Sequence, residues 1–343
     1  MSKVARRLSW ESGEGLRQKR HRALAYGSYL SHRRQLKRLR REITAGRKLI
    51  VVSLLDRMGD IVAAEPVSRY VRQRSPQAHI LWCVREPYRE LIDANPHIDE
   101  TLPALCMTEW GHLARSGLFD EIIDLHIQGR ICSTCAQPLV KTSGSPHVNF
   151  DNYYHLGNLL NVFCQAAGIP VIDDAPRVYI PQGAASTVDA LRLPERFITV
   201  HAQSFESGRD WPAAKWRELV QRVSANWKLP VVEIGIHPTI KLPAPHLIDL
   251  CGKLSIMETA EVIKRSSAFV GIDSGPAHLG NALGTPGVIL LGRFHLFDRY
   301  TPYSGAYADG SGARLIYSAG AASEIPVEQV YEALREQLKL TQV

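Results

Sequence analysis

The 343-residue sequence predicts an α/β protein of two doubly wound parallel sheets, preceded by a basic N-terminal helix. Three observations predict it. Short apolar runs alternate with helical patterns from Lys48 to Ala167 and again from Phe197 to Leu338, the rhythm of parallel sheets with helices on both faces. A stretch with several prolines and mixed polar residues, Pro170 to Pro194, separates the two series. The length is also comfortable for two cores of about 150 residues each. The expected organisation is a helical arm over 1–46, a first domain over 47–170 and a second over 171–343.

The arm reads as one helix from Glu14 to Ile43, because Tyr26, Tyr29, Leu36, Leu39 and Ile43 recur close to one helical face. Arg33, Arg34, Lys37, Arg38, Arg40 and Arg41 fill the rest. Residues 1–50 hold 15 Lys and Arg against 3 Glu, so the net charge of +7 belongs to the arm and not to the body. A cationic amphipathic helix suits an anionic membrane surface, each basic residue contributing about 1 kcal/mol there. The other reading is a stripe packed on the body. Nucleic acid is not expected, since no stacking platform or base-reading motif accompanies the charge.

In the body, Lys48–Leu55 reads as a strand, Asp60–Arg74 as a helix closing before Pro76, and Ala78–Val84 as a strand. A short helix Pro87–Ala94, a strand Glu121–Leu125 and a helix Tyr153–Ala167 follow. The second series comprises strand Phe197–His201, helix Ala213–Trp227, strand Val231–Gly235, helix Ile256–Arg265 and strand Ala268–Gly271. Helix Ala277–Leu283, strand Val288–Leu291 and helix Val327–Leu338 complete it.

Apolar and charged fractions are ordinary for a globular protein. No run of apolar residues reaches membrane-spanning length and none near Met1 resembles a signal peptide, so a cytoplasmic location is expected. Six cysteines are too scattered for a disulfide framework. Cys132-Ser-Thr-Cys135 has metal-ligand or redox spacing, and His126 and His147 flank it, but a second close pair is missing. Loop cysteines without a ligand role are the expectation.

Three strand-to-helix junctions carry the chemistry. Ser266 to Gly292 contains an apolar run ending in Asp273-Ser274-Gly275-Pro276, a helix and a second apolar run. Such a turn aims unpaired N–H groups and a helix dipole at solvent, which suits a phosphate. Ser274 is placed to cap the helix, Gly275 to allow close approach, and Pro276 sits in the first turn. An ordinary capped turn has the same signature. The other junctions are Leu54–Asp60 and His201–Pro212, and all three open at strand C-termini, where ligands bind such sheets. Gly-x-Gly-x-x-Gly is absent after Leu54, which argues against a dinucleotide oxidoreductase.

Met58-Gly-Asp60 with Ile-Val-Ala-Ala-Glu-Pro66, then Arg209-Asp-Trp-Pro-Ala-Ala-Lys-Trp216, then Gly271-Ile-Asp-Ser-Gly-Pro-Ala-His278 resembles glycosyltransferase family 9, the lipopolysaccharide heptosyltransferases, from about Leu49 to Gly305. The resemblance implies a GT-B fold: two Rossmann-like domains facing a cleft, acceptor on the first and nucleotide sugar on the second. It implies inverting, metal-independent transfer without a cofactor, and no Asp-x-Asp pair contradicts that. It makes Asp60 the catalytic base, a residue that otherwise reads as a helix cap. It assigns the donor to Arg209, Asp273, Ser274, Gly275 and His278. Ser204 offers the donor a further hydroxyl. Arg85 and Arg130, following strands of the first domain, are acceptor candidates. Two departures bear on the donor. Gly235-Ile-His-Pro-Thr239 lacks the acid that meets the ribose in the family, and Gly292-Arg293-Phe294-His295-Leu296 replaces Gly-Pro-Thr-Asp-Pro, leaving Arg293 or His295 for phosphate or sugar.

The expected function is a peripheral enzyme at the inner face of the cytoplasmic membrane. It moves a sugar from a nucleotide diphosphate, ADP-heptose first, to a lipid-linked saccharide such as lipopolysaccharide core. The alternatives are a protein O-heptosyltransferase, and a non-catalytic nucleotide-sugar-binding or scaffold protein.

Overall fold

The computed structural model describes residues 3–43, 46–204, 206–243, 245–293 and 300–340, with the backbone alone at 3–13, 207 and 340. A 40-residue helix α1 (Lys3–Glu42) leads into β1 (Leu49–Ser53), α2 (Met58–Ala63), α3 (Pro66–Arg74) and β2 (His79–Arg85). Next come α4 (Glu90–Asp93), β3 (Glu100–Ala104), α5 (Met107–Ala114), β4 (Glu121–Asp124), α6 (Leu159–Ala167) and α7 (Gln182–Ala190). Then follow β5 (Ile198–His201), α8 (Ala213–Trp227), β6 (Val231–Glu233), β7 (Leu247–Asp249), α9 (Ile256–Arg265) and β8 (Ala268–Ile272). The chain ends with α10 (Gly275–Leu283), β9 (Gly287–Leu291), β10 (Ala313–Tyr317) and α11 (Val327–Leu340). No described helix is long and apolar enough to cross a membrane.

The chain divides into two compact units. The first comprises residues 1–56, 67–156 and 161–171, and the second 57–66, 157–160 and 172–343. The second unit therefore includes Arg57–Pro66, a stretch that the sequence places in the first domain.

In the first unit a parallel sheet has the order β3-β2-β1-β4. Leu49, Ile50, Val51 and Val52 are fully buried, as a central strand covered on both faces requires. The stripe on α1 is used here. Leu36 is buried, and Tyr29, Leu39 and Ile43 pack on the same core as Leu49, Leu81, Trp110 and Leu113. Polar contacts reinforce it: His32 Nδ1 lies 2.6 Å from the buried Glu109 carboxylate, and Arg40 pairs with Asp120. The helix is thus a built-in layer of the unit and not a detached arm. It starts eleven residues before Glu14, where the charge pattern hides its periodicity.

In the second unit the parallel sheet has the order β10-β9-β8-β5-β6-β7. Winding runs outward from β5 to β7, then restarts at β8 and runs the other way. The C-terminal ends of β5 and β8 therefore flank a topological switch point, where doubly wound sheets bind ligands.

Several elements depart from expectation. The single helix read from Asp60 to Arg74 is two, because Pro66 has no N–H to continue α2 and instead opens α3. The helix read from Tyr153 is a short 3-10 turn followed by α6. Strands β3, β7 and β10 went unread because each lies at a sheet edge with little apolar pattern, Pro103 interrupting β3. Helix α5 also went unread. Helix α7 lies inside the proline-bearing stretch read as linker, its small residues burying only Ala184 and Val188.

Candidate functional site

At the switch point of the second unit, β5 ends in His201 and β8 in Ile272, so the loops after both strands share one neighbourhood. The loop after β5 is anchored from below. Trp211 is buried, donates its indole N–H to the Ile325 carbonyl at 2.9 Å and packs edge-on against Trp216, ring centroids 4.9 Å apart. Lys215 Nζ donates to the carbonyls of Ser323 and Ile325. Arg209 is held from the other side by a 3.1 Å contact of its guanidinium with the Asp273 carboxylate and a 3.2 Å contact with Glu206. Three of the Arg-Asp-Trp-Pro-Ala-Ala-Lys-Trp residues thus secure the loop that presents the arginine.

Asp273 is itself fixed. Its second oxygen accepts a hydrogen bond from the Tyr303 hydroxyl at 3.0 Å. Burial, then the Asp273 charge, push the Tyr303 phenol well above its usual pKa, so it stays a donor. Asp273 therefore orients Arg209, a role that suits a carboxylate better than direct contact with an anion.

Ser274 does not cap α10 as the sequence suggests. Its backbone is extended, as an N-cap requires, but its hydroxyl reaches the Ile272 carbonyl at 3.1 Å and His201 Nδ1 at 2.9 Å. With its one proton on the carbonyl, the hydroxyl accepts from His201 Nδ1–H, which fixes that tautomer. The Ala277 and His278 N–H groups turn to the Ser274 carbonyl, and Pro276 has none, so the Gly275 N–H stands at the helix mouth. His201 is buried and uncharged at neutral pH, burial lowering it to about 4. Beyond its ring lies Gly235, in a left-handed conformation with φ of 144°, where an added Cβ would come within 3.4 Å of the imidazole. The loop beyond is organised by buried Glu233, whose carboxylate accepts from the N–H groups of Thr239 at 2.7 Å and Ile240 at 3.2 Å.

His278 is almost wholly buried one turn into α10, its ring 4.7 Å from that of Tyr303. Burial, offset in part by Asp273, lowers it to about 4, so it too is neutral. Helix α2 lies directly against α10. A Cβ on Gly59 would stand 2.7 Å from the His278 ring, and one on Gly275 would meet the Met58 side chain. The Met58-Gly59 pair thus lets α2 approach closely enough to set Asp60, in its first turn, beside the switch-point loops. Asp60 accepts from the Arg57 N–H at 3.3 Å. Glu65, at the far end of α2, accepts from the Arg177 N–H at 2.9 Å and the Tyr179 hydroxyl at 3.0 Å, tying the segment to the second unit.

The other candidates fall as follows. The Ser204 hydroxyl donates to the Glu206 carbonyl and its N–H to Asp210, so it shapes the loop that holds Arg209. Arg293 follows β9 and its N–H donates to the Gly320 carbonyl. Phe294, His295 and Leu296 lie outside the described residues. In the first unit, Arg85 ends β2 half-buried. Arg130 pairs with Asp56 at 2.8 Å and lies 4.8 Å from the Phe150 ring centre. Asp56 and Arg130 follow β1 and β4, the switch point of that sheet. Beneath them Asp124 binds His126 Nδ1 at 2.7 Å, while His126 Nε2 accepts from the Leu55 N–H at 2.9 Å. His126 is thereby committed to the fold and is no metal ligand.

The residues that sequence reasoning missed are His201, Glu233 and Tyr303. His201 opened the second junction and carried a signal, its place at a strand end. Tyr303 lies some thirty residues from Asp273 with nothing local to connect them.

Residues 152–307, which include β5 to β9, match the model of glycosyltransferase family 9 (heptosyltransferase). That segment, just under half of this chain, is similar to a family 9 glycosyltransferase domain. Lipopolysaccharide heptosyltransferase 1 of Salmonella typhimurium is 30% identical over 110 residues, an alignment covering 28% of this chain and 31% of that protein. A family 9 glycosyl transferase from Veillonella parvula superposes with a TM-score of 0.64 at 20% identity, covering 85% of this chain and 97% of its own. The E. coli ADP-heptose lps heptosyltransferase II gives 0.65 at 19% identity, covering 86% and 100%. The matched segment thus lies within the GT-B fold that the motifs imply.

Proposed function

We propose that the protein is an inverting heptosyltransferase-type glycosyltransferase that uses ADP-heptose as donor and a lipid-linked saccharide, such as lipopolysaccharide core, as acceptor. One observation carries this reading: a half-buried network (His201–Ser274, Tyr303–Asp273–Arg209) holds a guanidinium and a helix N-terminus at one switch point, with the Asp60 helix packed on that same helix. The donor class is supported by the family 9 domain and by the neighbour whose name specifies ADP-heptose.

In this reading the diphosphate lies at the mouth of α10, between the Gly275 N–H and Arg209. Charge grows on the leaving diphosphate as the sugar bond breaks, and a guanidinium already fixed by Asp273 and Glu206 stabilises that charge without reorganising. His201 and His278, both neutral, shape the pocket without adding charge. Ser204 supports the arginine loop, and Arg293 contributes to the sugar side. Asp60 removes the proton of the acceptor hydroxyl as it attacks. No metal takes part in the transfer. Arg85 and Arg130 contact an anionic acceptor from the first unit. The exposed basic residues of α1 hold the enzyme at the inner membrane surface from the cytoplasmic side.

The test pairs donor binding with turnover. ADP-heptose should bind more tightly than UDP-, GDP- or dTDP-sugars by calorimetry. Asp60→Asn should keep that affinity and lose transfer by about a hundredfold or more, as expected for removing a general base. Loss of binding and turnover together would remove the base assignment. Tighter binding of another nucleotide sugar would replace the donor, and donor binding without transfer to any acceptor would favour a binding protein.

A further inference from the structure

Three cysteines meet in the first unit, which holds none of the residues used above for the donor. Cys132 and Cys135 lie in a small hairpin closed by an antiparallel bridge between Ile131 and Pro138. The Cys132 N–H donates to the Gln137 carbonyl at 2.8 Å, and the Ala136 N–H to the Cys132 carbonyl at 2.9 Å. Ala136 takes a left-handed φ of 51°, an uncommon conformation for alanine that turns the chain sharply after Cys135. The Cys135 N–H then points at Cys132 Sγ, 3.4 Å away. A backbone amide aimed at sulfur favours the thiolate, and the tight turn directs both sulfurs to one side.

The third thiol comes from another element. Cys106 is the N-cap of α5, with extended backbone, so its sulfur stands at the positive end of that helix. The sulfurs of Cys106, Cys132 and Cys135 all lie within 4.8 Å of one another, and that of Cys106 is 3.6 Å from that of Cys135. A tetrahedral zinc site with metal–sulfur bonds of about 2.3 Å requires sulfur–sulfur edges of about 3.8 Å. The cluster is already near that size.

Its surroundings suit a charged centre. All three cysteines are buried, with Ala25 of α1 covering them. Arg22, one turn earlier on α1, donates its Nε–H to the Cys135 carbonyl at 3.0 Å. Three thiolates around a divalent ion carry a net charge of −1, and the Arg22 guanidinium, bonded to the Cys135 carbonyl, offsets it. The sequence pointed only to His126 and His147 as companions for the pair. His126 is committed to Asp124 and Leu55, and His147 is exposed. The companion is Cys106, invisible in the sequence because it lies 26 residues upstream.

We propose that Cys106, Cys132 and Cys135 form a three-thiolate site for a thiophilic divalent ion of the zinc type. The ion would join two segments, the hairpin and the start of α5, beneath Ala25 of α1. Since the hairpin begins next to Arg130, the site fixes the base of the segment that carries that side chain. This role is structural and leaves the transfer chemistry metal-independent.

The experiment measures metal in the full-length protein purified without a metal-affinity step. About one equivalent of zinc or iron per chain is expected. It should fall at least tenfold in Cys132→Ser and in Cys106→Ser. Cobalt exchanged into the wild type should give an intense thiolate charge-transfer band together with tetrahedral d–d absorption. Should the variants fail to fold, alkylation of the wild type followed by peptide mass analysis decides. The three cysteines should be protected as purified and labelled together after chelation. Metal-free protein with no cobalt spectrum would overturn the proposal, as would unchanged metal content in folded serine variants or labelling indifferent to chelator.

Discussion

Arg209, proposed above to meet the donor diphosphate, is a side chain set in place by its neighbours. Asp273 and Glu206 neutralise it in the absence of ligand and set its direction, and Tyr303 in turn fixes Asp273. Removing the arginine should cost more than one charge, because it leaves Asp273 facing the diphosphate. Arg209→Ala should therefore weaken ADP-heptose binding by at least tenfold, and Asp273→Asn should weaken it less, both read by calorimetry. Gly59 offers a steric test. A methyl group there would stand 2.7 Å from the His278 ring. Gly59→Ala should destabilise the protein by about 1–3 kcal/mol in denaturant unfolding, the usual cost of overpacking, and should slow transfer more than it weakens donor binding.

At the scale of the element, α1 has an apolar face packed on the first unit's core and an exposed basic face, proposed above to meet the membrane. Leu36 is 2% exposed and packs beside Leu49 and Trp110. Leu36→Ala should cost about 2–4 kcal/mol of stability and leave donor affinity unchanged. Arg34, Lys37 and Arg41 are exposed. Changing all three to Gln should leave the melting temperature nearly unaltered and reduce co-sedimentation with anionic vesicles. Unchanged co-sedimentation would confine the helix to its packing role. Much of this was legible beforehand. The apolar stripe, helices α8 and α9 and the buried strands all announce themselves by local pattern, and α8 and α9 begin and end where the sequence places them. What local pattern does not reveal is partnership. Ser274 sits where a cap belongs, yet its hydroxyl serves His201, 73 residues away. Edge strands such as β7 and β10 need a neighbour to exist, and α7 needs α9 to cover its small residues.

For the whole molecule, pH provides a global reading of burial. His201 and His278 are held at about 4 by burial, against about 6.5 for an exposed imidazole. The unfolded chain therefore takes up protons first as pH falls, and stability should decline between about pH 6.5 and 4 and level out above that range. Denaturant midpoints measured across these values check it, and a flat profile would mean that the two imidazoles are not buried in solution. Asp124 adds a second, more acidic loss. Burial works against its charge, but His126 and Lys141 hold it below its ordinary value, so its contribution disappears only as pH falls through that lowered value.

The assignment of Arg57–Pro66 to the second unit bears on how the chain can be taken apart. A fragment begun near Ile172 would contain every strand of the second sheet yet lack the helix that covers His278 on α10. It would expose an apolar scar where Met58 and Gly59 belong, and should aggregate or bind donor poorly. For the same reason, a chimera that swaps halves with a relative at the proline-bearing stretch would mate one protein's α2 with another's α10. A workable exchange has to transplant the ten residues from 57 to 66 along with the second half, as a graft across the join.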